Sequence, residues 1–345
     1  MKAVQLIAHG KPGQFQLVDV PEPQPGPDEA VVRVRACGLN RLDLWLEEAG
    51  LPITVPLPRT PGGEIAGEIA AVGNDVEASL KVGDRVAVQS NLFCGECEFC
   101  VAGDESLCLN GRLLGVQQDG GFAEKVLVPA RALVRLPEGA TFEASAAVTL
   151  AGSTAMHMLT NRAQVQMGQW VLVIGGASGV GSAAIQIARH LGAYVIATGS
   201  TPEKRALASS LGAQATVDAS LSDWPAEVRK LTQKRGVDLV VEHVGGKTLE
   251  QAFHCLARGG TIVTCGATAG RDVQFNLWPF FVKQQKLVGS YGRSRVDMLA
   301  TLDWVATGKL RPVIDRVLPL EQTAAAFRAL RERAVLGKIL IRPGE

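Results

Sequence analysis

Residues 170–191 restrict the fold of this 345-residue chain more than any other segment. A continuous apolar run at 170–174 is typical of a strand buried on both faces of a parallel sheet. A glycine-rich loop follows at 175–181, and residues 182–191 carry apolar side chains at the spacing of an amphipathic helix. This order predicts a strand–loop–helix unit, from which open parallel sheets are built.

The loop fits the pattern G-x-x-G-x-G and consists of Gly176, Ala177, Ser178, Gly179, Val180 and Gly181. Glycines let the backbone turn tightly and approach a pyrophosphate, and the following helix directs its N-terminal N–H groups toward that group. A tight turn without a ligand is the alternative interpretation. The flanking strand and helix favour a dinucleotide-binding loop.

The end of the next predicted strand, at 193–198, indicates which dinucleotide binds. An acidic side chain there would accept hydrogen bonds from the ribose hydroxyls of NAD. The chain instead has small, neutral residues, including Ser200, and then two cations, Lys204 and Arg205. Two cations suit the 2′-phosphate of NADP, so we expect NADP and keep NAD as the alternative, in which the cations only begin a solvated helix face.

The patterns on either side of this unit predict two domains. Residues 1–149 contain short strand candidates separated by Gly and Pro, which predict a small barrel-like domain. Strands and helices alternate over 150–290, as in a parallel sheet covered on both faces. A final strand candidate at 337–341 predicts that residues 291–345 rejoin the first domain.

Four of the seven cysteines form a C-x2-C-x2-C-x7-C run, made of Cys94, Cys97, Cys100 and Cys108. Four thiolates at this spacing can close a tetrahedral shell around one zinc ion with no open position. Disulfides and an iron–sulfur cluster are the alternatives. A spacing of two residues leaves little chain for local bridging, and the N-terminal segment has no secretory signal, so we expect a reducing, cytoplasmic location. A closed shell binds no substrate, so any catalysis lies elsewhere.

Charge and hydropathy exclude two classes of partner. Lys and Arg number 35 against 34 Asp and Glu, and this balance favours neither nucleic acid nor an anionic membrane. No apolar run approaches the roughly 20 residues of a membrane helix. We therefore expect a small-molecule substrate. A nucleic-acid-binding protein with a cysteine finger is the remote alternative, and an aromatic content of 5% argues against it.

With these residues placed, the chain resembles the medium-chain dehydrogenase/reductase superfamily over nearly its whole length. The resemblance implies an α/β fold, with an N-terminal GroES-like β-barrel domain and a Rossmann dinucleotide-binding domain containing a doubly wound parallel sheet. It implies that the four cysteines, in a lobe at 91–111, hold one structural zinc ion, as in zinc alcohol dehydrogenases. It also implies a homodimer or homotetramer.

The catalytic-zinc positions depart from that family. Asn40 stands where zinc alcohol dehydrogenases have a cysteine, Gly63 where they have a histidine, and Leu150 where they have a later cysteine. Only Glu64 matches, and one carboxylate cannot replace three protein ligands. Cys37 lies three residues before Asn40, and we interpret it as a packing residue.

The pattern Gly38-Leu39-Asn40-x-x-Asp43 and the loop at 175–181 resemble the zinc-independent quinone oxidoreductase branch. That resemblance implies an NAD(P)H-dependent oxidoreductase. The first hypothesis is an NADPH-dependent reductase of quinones or activated C=C bonds, in enone or enoyl substrates, without catalytic zinc. An NAD(P)-dependent alcohol dehydrogenase is the alternative, although alkoxide stabilisation commonly requires a metal.

Four residues are further candidates for this chemistry. Negative charge on an enolate oxygen needs hydrogen-bond donors in a dry site, and the Asn40 amide is the first candidate. Asp43 is expected to orient Asn40 or a cofactor hydroxyl. Tyr291 is expected either to line the nicotinamide cleft or to pack between domains. Arg333 matches a C-terminal arginine that can serve the 2′-phosphate in relatives, whereas Ala219 replaces a tyrosine that often packs beside it.

Overall fold

The structure, a computed structural model, describes residues 1–344 as two compact units. The first unit comprises Met1–Ala151, Arg293–Gly308 and the stretch from Pro312 onward. The second comprises Gly152–Gly292 and Lys309–Arg311. The boundaries predicted after residues 149 and 290 lie two residues before the observed ones.

The N-terminal part of the first unit is rich in strands. Its strands are β1 (Lys2–Ala8), β2 (Gln14–Asp19), β3 (Glu29–Gly38), β4 (Glu64–Val72), β5 (Arg85–Val88), β6 (Asn91–Leu92), β7 (Arg112–Leu113), β8 (Lys125–Pro129) and β9 (Leu133–Arg135). Its helices are α1 (Arg41–Glu47), α2 (Glu98–Val101) and α3 (Phe142–Ala146). Helix α4 (Ala151–Met156) begins at the boundary with the second unit.

Strands and helices alternate in the second unit, as predicted. The strands are β10 (Trp170–Val173), β11 (Tyr194–Gly199), β12 (Ala215–Asp218), β13 (Val237–Glu242), β14 (Leu256–Thr264) and β15 (Lys286–Gly289). The helices are α5 (Gly179–His190), α6 (Pro202–Ser210), α7 (Trp224–Leu231), α8 (Gly246–Cys255) and α9 (Leu277–Val282). The sheet order is β12-β11-β10-β13-β14-β15, and every neighbouring pair is parallel.

The C-terminal stretch supplies helix α10 (Arg295–Ala306), strand β16 (Ile314–Pro319), helix α11 (Thr323–Arg331) and strand β17 (Lys338–Arg342). Strand β17 pairs antiparallel with β3, with Leu340 opposite Gly38 and Ile341 opposite Cys37. This pairing places the start of β17 beside the loop that follows β3. The complete sheet runs β16-β17-β3-β4-β5-β9, and β8 also pairs with β3.

The start of one helix differs from the sequence expectation for a local reason. Helix α5 begins at Gly179 rather than at residue 182 because the Ser178 hydroxyl caps it, accepting from the Gly181 N–H at 2.9 Å. Strand β14 begins at Leu256, which pairs with Val237 of β13. Between residues 1 and 344, no helix is both long and apolar enough to span a bilayer.

Apolar side chains from one face of the sheet that contains β3, among them Val32, Ile65 and Val86, form a continuous core with side chains of α11. Phe327 of α11 is 1% exposed, and its ring lies 4.4 Å from that of Phe15 and 6.1 Å from that of Phe122. Helix α11 thereby packs against β2 and the segment before β8. These contacts fix the C-terminal stretch, including β17, to the N-terminal strands.

Candidate functional site

The glycine-rich loop connects the carboxyl end of β10 to helix α5 in the second unit. Gly175 has a φ of +62°, a left-handed conformation that favours glycine. A Cβ atom on Gly181 would lie 2.2 Å from the Gly175 carbonyl oxygen. No larger residue can therefore close the loop, and the backbone stays open to a ligand's phosphates at the start of α5.

Two side chains support this loop from neighbouring strands. The Gly175 N–H donates to the hydroxyl of Thr198 at 2.9 Å. His243, at the end of β13, places Nε2 3.2 Å from the Ser178 hydroxyl. The sequence indicated no role for either residue. In the sequence, only their positions near the carboxyl ends of the strands that flank β10 could have indicated that Thr198 and His243 support the loop.

The predicted 2′-phosphate residues lie around the start of α6. Ser200 is exposed, while Lys204 and Arg205 are half-buried. The guanidinium of Arg205 donates to the Gly199 carbonyl at 3.1 Å and pairs with Asp218 at 2.8 Å. Arg205 therefore has an anionic partner at the end of β12.

Asp218 changes the electrostatics expected from the sequence at this position. Its pKa is lowered, first by the hydrogen bond from the Ser220 hydroxyl and less by the charge of Arg205. The carboxylate is therefore ionised at neutral pH. It opposes binding of a second anion at Arg205, which weakens the sequence-based expectation that Arg205 holds a 2′-phosphate.

A buried ion pair in the first unit involves the Asn40 and Glu64 positions. The Lys338 ammonium, at the start of β17, lies 2.6 Å from Glu64 Oε2 and donates to Asn40 Oδ1 at 2.7 Å and to the Leu39 carbonyl at 2.7 Å. Asn40 Nδ2 donates to Glu64 Oε2 at 3.0 Å and to the Gly38 carbonyl at 3.2 Å. The sequence did not indicate Lys338 as a partner of Asn40 because the two residues lie 298 positions apart in the chain.

The second carboxylate oxygen of Glu64 accepts from the Leu150 N–H at 2.7 Å and the Ala151 N–H at 2.8 Å. Glu64 is fully buried, and Lys338 and Asn40 are 4% and 9% exposed. Every polar atom of this triad has a protein partner, as buried charges require. The Asn40 amide, expected from the sequence to be an open donor, uses both hydrogens within the protein.

Asp43 holds the loop that carries Asn40. Its carboxylate accepts from the Asn40 N–H at 2.7 Å and the Gly62 N–H at 3.2 Å, and it caps helix α1. Burial raises the pKa of Asp43 to about 6. Since an unfolded aspartate has a pKa near 3.9, this group favours folding most below about pH 4, and that contribution is lost as the pH rises through about 6.

The structure leaves no room for a histidine ligand at Gly63. A Cβ atom there would lie 2.7 Å from the Leu114 carbonyl oxygen and 3.2 Å from the Ser90 Cβ. Cys37 is fully buried in the apolar core, and burial raises the pKa of its thiol well above the ordinary value. A neutral, packed thiol and a closed Gly63 position do not suit a catalytic zinc site.

Two other predicted residues lie outside these networks. Tyr291 follows β15 and is 57% exposed. Arg333 follows α11 with an exposed side chain. Burial lowers the pKa of Arg41, and the like charge of Arg333 lowers it further, so these two guanidinium groups lie near one another in the first unit. Their roles stay predictions.

The four cysteines of the run converge as expected for a metal centre. Their Sγ atoms all lie within 4.8 Å of one another, with separations of 3.9 Å for Cys94–Cys100 and 3.5 Å for Cys97–Cys100 and Cys94–Cys108. Thiolates at about 2.3 Å from a tetrahedral zinc lie about 3.8 Å apart, so the donor set fits zinc. Backbone N–H groups of Glu96 and Cys97 lower the pKa of Cys94 to about 6.

The paired strands β6 and β7 close the base of this lobe on either side of the cysteines. Within the described part of the chain, this is the one group of three or more His, Cys, Asp or Glu side chains arranged to hold a metal. A shell of four cysteine thiolates has no open position, so a zinc ion held here would have a structural role.

The chain matches two protein families along most of its length. Residues 26–138 match the alcohol dehydrogenase GroES-like domain, and residues 179–307 match the zinc-binding dehydrogenase family. An alcohol dehydrogenase of Moraxella sp. strain TAE123 is 35% identical, with 99% of each chain covered. An acryloyl-coenzyme A reductase of Sulfurisphaera tokodaii is 30% identical, also with 99% of each covered. A solved NAD-dependent alcohol dehydrogenase superposes with a TM-score of 0.94, 38% identity and complete coverage of both chains.

We expect the purified protein to contain one zinc ion per chain, because the described residues form one closed shell of four cysteines. Metal analysis by mass spectrometry measures this ratio. Cys97→Ser should lose the zinc, whereas Cys265→Ser, whose thiol lies in the second unit, should keep it. Two zinc ions per wild-type chain, or iron with a visible absorption band, would contradict this assignment.

Lys338→Met should lower the free energy of unfolding by about 3–5 kcal/mol, because it leaves the buried Glu64 carboxylate without its cation. Arg342→Met is the matched control on the same strand. Arg342 pairs with Glu143, but their side chains are 54% and 33% exposed, so the loss should stay below about 1 kcal/mol. Urea denaturation measures the free energy of unfolding of both variants. Equal losses in the two variants would exclude a dominant role for the buried Lys338–Glu64 pair.

Proposed function

This chain belongs to the medium-chain dehydrogenase/reductase superfamily and is an NAD(P)-dependent oxidoreductase, and from that premise we propose that it reduces quinones or activated C=C bonds with NADPH, without catalytic zinc. The observation that carries this proposal is the Lys338–Glu64–Asn40 network. Around the positions at which zinc alcohol dehydrogenases place ligands, this chain has an ammonium–carboxylate pair and an amide.

The Lys338–Glu64–Asn40 network suits reduction of an activated C=C bond better than oxidation of an alcohol. Alcohol oxidation creates an alkoxide, which a metal usually stabilises. Neither Asn40 nor Leu150 is a zinc ligand, and Gly63 has no space for one. Reduction of an enone instead creates an enolate, whose charge hydrogen-bond donors can stabilise. Asn40 and Lys338 carry hydrogen-bond donors, which favours reduction.

A bound nicotinamide dinucleotide would supply the hydride, held by the loop at 175–181. Asn40 would donate to the substrate oxygen as negative charge develops there. The longer of its two amide hydrogen bonds, to the Gly38 carbonyl at 3.2 Å, is the one that a substrate oxygen would replace. Lys338, through its bond to Asn40 Oδ1, polarises the amide and holds its orientation. Solvent would supply the proton that completes the reduction at carbon.

The relatives include alcohol dehydrogenases, which are the larger group, and reductases of activated C=C bonds. The Sulfurisphaera relative is named for reduction of acryloyl-coenzyme A, an activated C=C substrate. The Moraxella relative and the solved structure are named as alcohol dehydrogenases. Oxidation of alcohols is therefore the second candidate, and it predicts activity that depends on a second metal ion. The proposal of a reductase is supported by the residues of the first unit and not by the relatives' names.

Purified enzyme should reduce a conjugated enone, enoyl thioester or quinone, and it should retain activity after a chelator treatment that leaves one zinc ion per chain. The proposed hydrogen-bond donors to the substrate are protein side chains, which a chelator does not remove. A substrate panel that also includes primary and secondary alcohols, run with both cofactors, measures this. Alcohol oxidation that disappears on chelation would contradict the proposal.

Asn40→Ala should lower kcat by roughly 10²–10³, the loss expected for one oxyanion donor, with little change in cofactor affinity. The variant also removes an acceptor from Lys338, so zinc content and thermal denaturation must show that it stays folded. Lys338→Arg, which keeps the cation, serves as the comparison and should lose less activity. An unchanged kcat in folded Asn40→Ala would exclude this role for Asn40.

NADPH should bind more tightly than NADH, and Lys204→Ala should reduce that preference roughly tenfold or more, as expected for one charge-assisted phosphate contact. Fluorescence titration with both cofactors measures the ratio. Lys230→Ala, an exposed lysine on α7, is the control and should keep the wild-type ratio. Equal affinities in the wild type would favour NAD, consistent with the carboxylate of Asp218 near this position.

A further inference from the structure

A basic cavity lies at the amino ends of strands β13 and β14, within the second unit. Its volume is about 530 Å³, within the range of small-molecule pockets. Five cations line it, with the buried side chains of Leu256 and Ala257 as its apolar part: Arg229, Lys234, Arg235, Arg258 and Lys283. The glycine-rich loop lies at the opposite, carboxyl edge of the same sheet, about 17–20 Å away along the six residues of β13.

The cations have few anionic partners of their own. Asp238 binds Arg235 with two contacts, at 2.5 and 3.1 Å, and also accepts the Trp170 N–H. Helices α7 and α9 end at this cavity, and each helix end contributes at most about half a negative charge. After these contributions, the cavity retains a surplus of about three positive charges.

Several of the cationic groups are held in place by the backbone. Arg229 donates to the Lys234 carbonyl, and Arg258 donates to the Val282 carbonyl at 3.4 Å. Lys234 has a φ of +66°, which belongs to the turn between α7 and β13. The lining cations come from the last turn of α7 and the loop after it, from the start of β14 and from the residue that follows α9. Their mutual repulsion would be relieved by a bound anion.

We propose that this cavity binds an oligophosphate, either inorganic or carried by a nucleotide, at a site separate from the dinucleotide loop. Two adjacent phosphate groups carry about three to four negative charges, which matches the surplus. Arginine forks bind phosphate oxygens in pairs, and three of the five cations are arginines. The cations surround one cavity. Among the described residues, its lining has no aromatic side chain to stack a base, which favours a small anion over a nucleic-acid strand.

The test is calorimetric titration of the zinc-loaded protein with inorganic triphosphate, with the dinucleotide loop first saturated by whichever of NADPH or NADH binds more tightly. One triphosphate should bind per chain. Arg229→Gln combined with Arg258→Gln should weaken binding by at least about tenfold. Lys230→Gln is the matched control: it follows Arg229 on the same helix, lies outside the cavity lining and should bind as the wild type does.

Arg258→Gln alone is the second variant, because Arg258 is exposed and its one backbone bond is long, so folding should be preserved. It should weaken binding measurably. Titration with ATP separates the sources: equal affinity supports recognition of the phosphates alone, and tighter ATP binding supports a nucleotide. Unchanged binding in both variants, loss of binding on saturation with the dinucleotide, or tighter binding of a single-stranded oligonucleotide would each overturn the proposal. None of these readouts uses turnover, so the proposed reaction can fail independently.

Discussion

The first unit depends on the buried carboxylate of Glu64. One oxygen binds the Lys338 ammonium and the Asn40 amide, and the other accepts the N–H groups of Leu150 and Ala151. Four separate chain segments therefore meet at one side chain. A fully buried charge is tolerated only when it is paired and hydrogen-bonded, so removing any one partner exposes the others to a desolvation cost of several kcal/mol.

The same pair limits what chemistry the first unit supports. An ammonium fixed beside a carboxylate supplies charge and hydrogen bonds without an open coordination position. The Leu114 carbonyl closes the space beside Gly63, so the missing histidine ligand is a property of the backbone packing as well as of the residue type. The proposed reduction uses the amide of Asn40, which is held from one side by Lys338 and from its own backbone by Asp43.

The second unit has two different environments for anions, one at each edge of its parallel sheet. At the carboxyl edge, glycine backbone and a helix N-terminus suit a pyrophosphate, because they present N–H groups without side-chain charge. At the amino edge, helix C-termini would repel an anion, and the surplus there comes from side-chain cations such as Arg258 and Lys283. An anionic side chain also offsets a cation at the carboxyl edge. Asp218 neutralises Arg205 close to the position expected for the 2′-phosphate.

The sequence by itself determined the elements whose causes are local. The buried strand, the glycine-rich loop and helix α5 follow from residue pattern within 170–191, and the spacing of Cys94, Cys97, Cys100 and Cys108 predicts their convergence. Only the tertiary structure decided the partners that lie far apart in the chain. Lys338 reaches Asn40 because β17 pairs with β3, and Arg205 reaches Asp218 because β12 pairs with β11. Local patterns fix backbone conformation within a few residues, whereas electrostatic partners depend on which distant strands pair, and that is set by burial of the whole core.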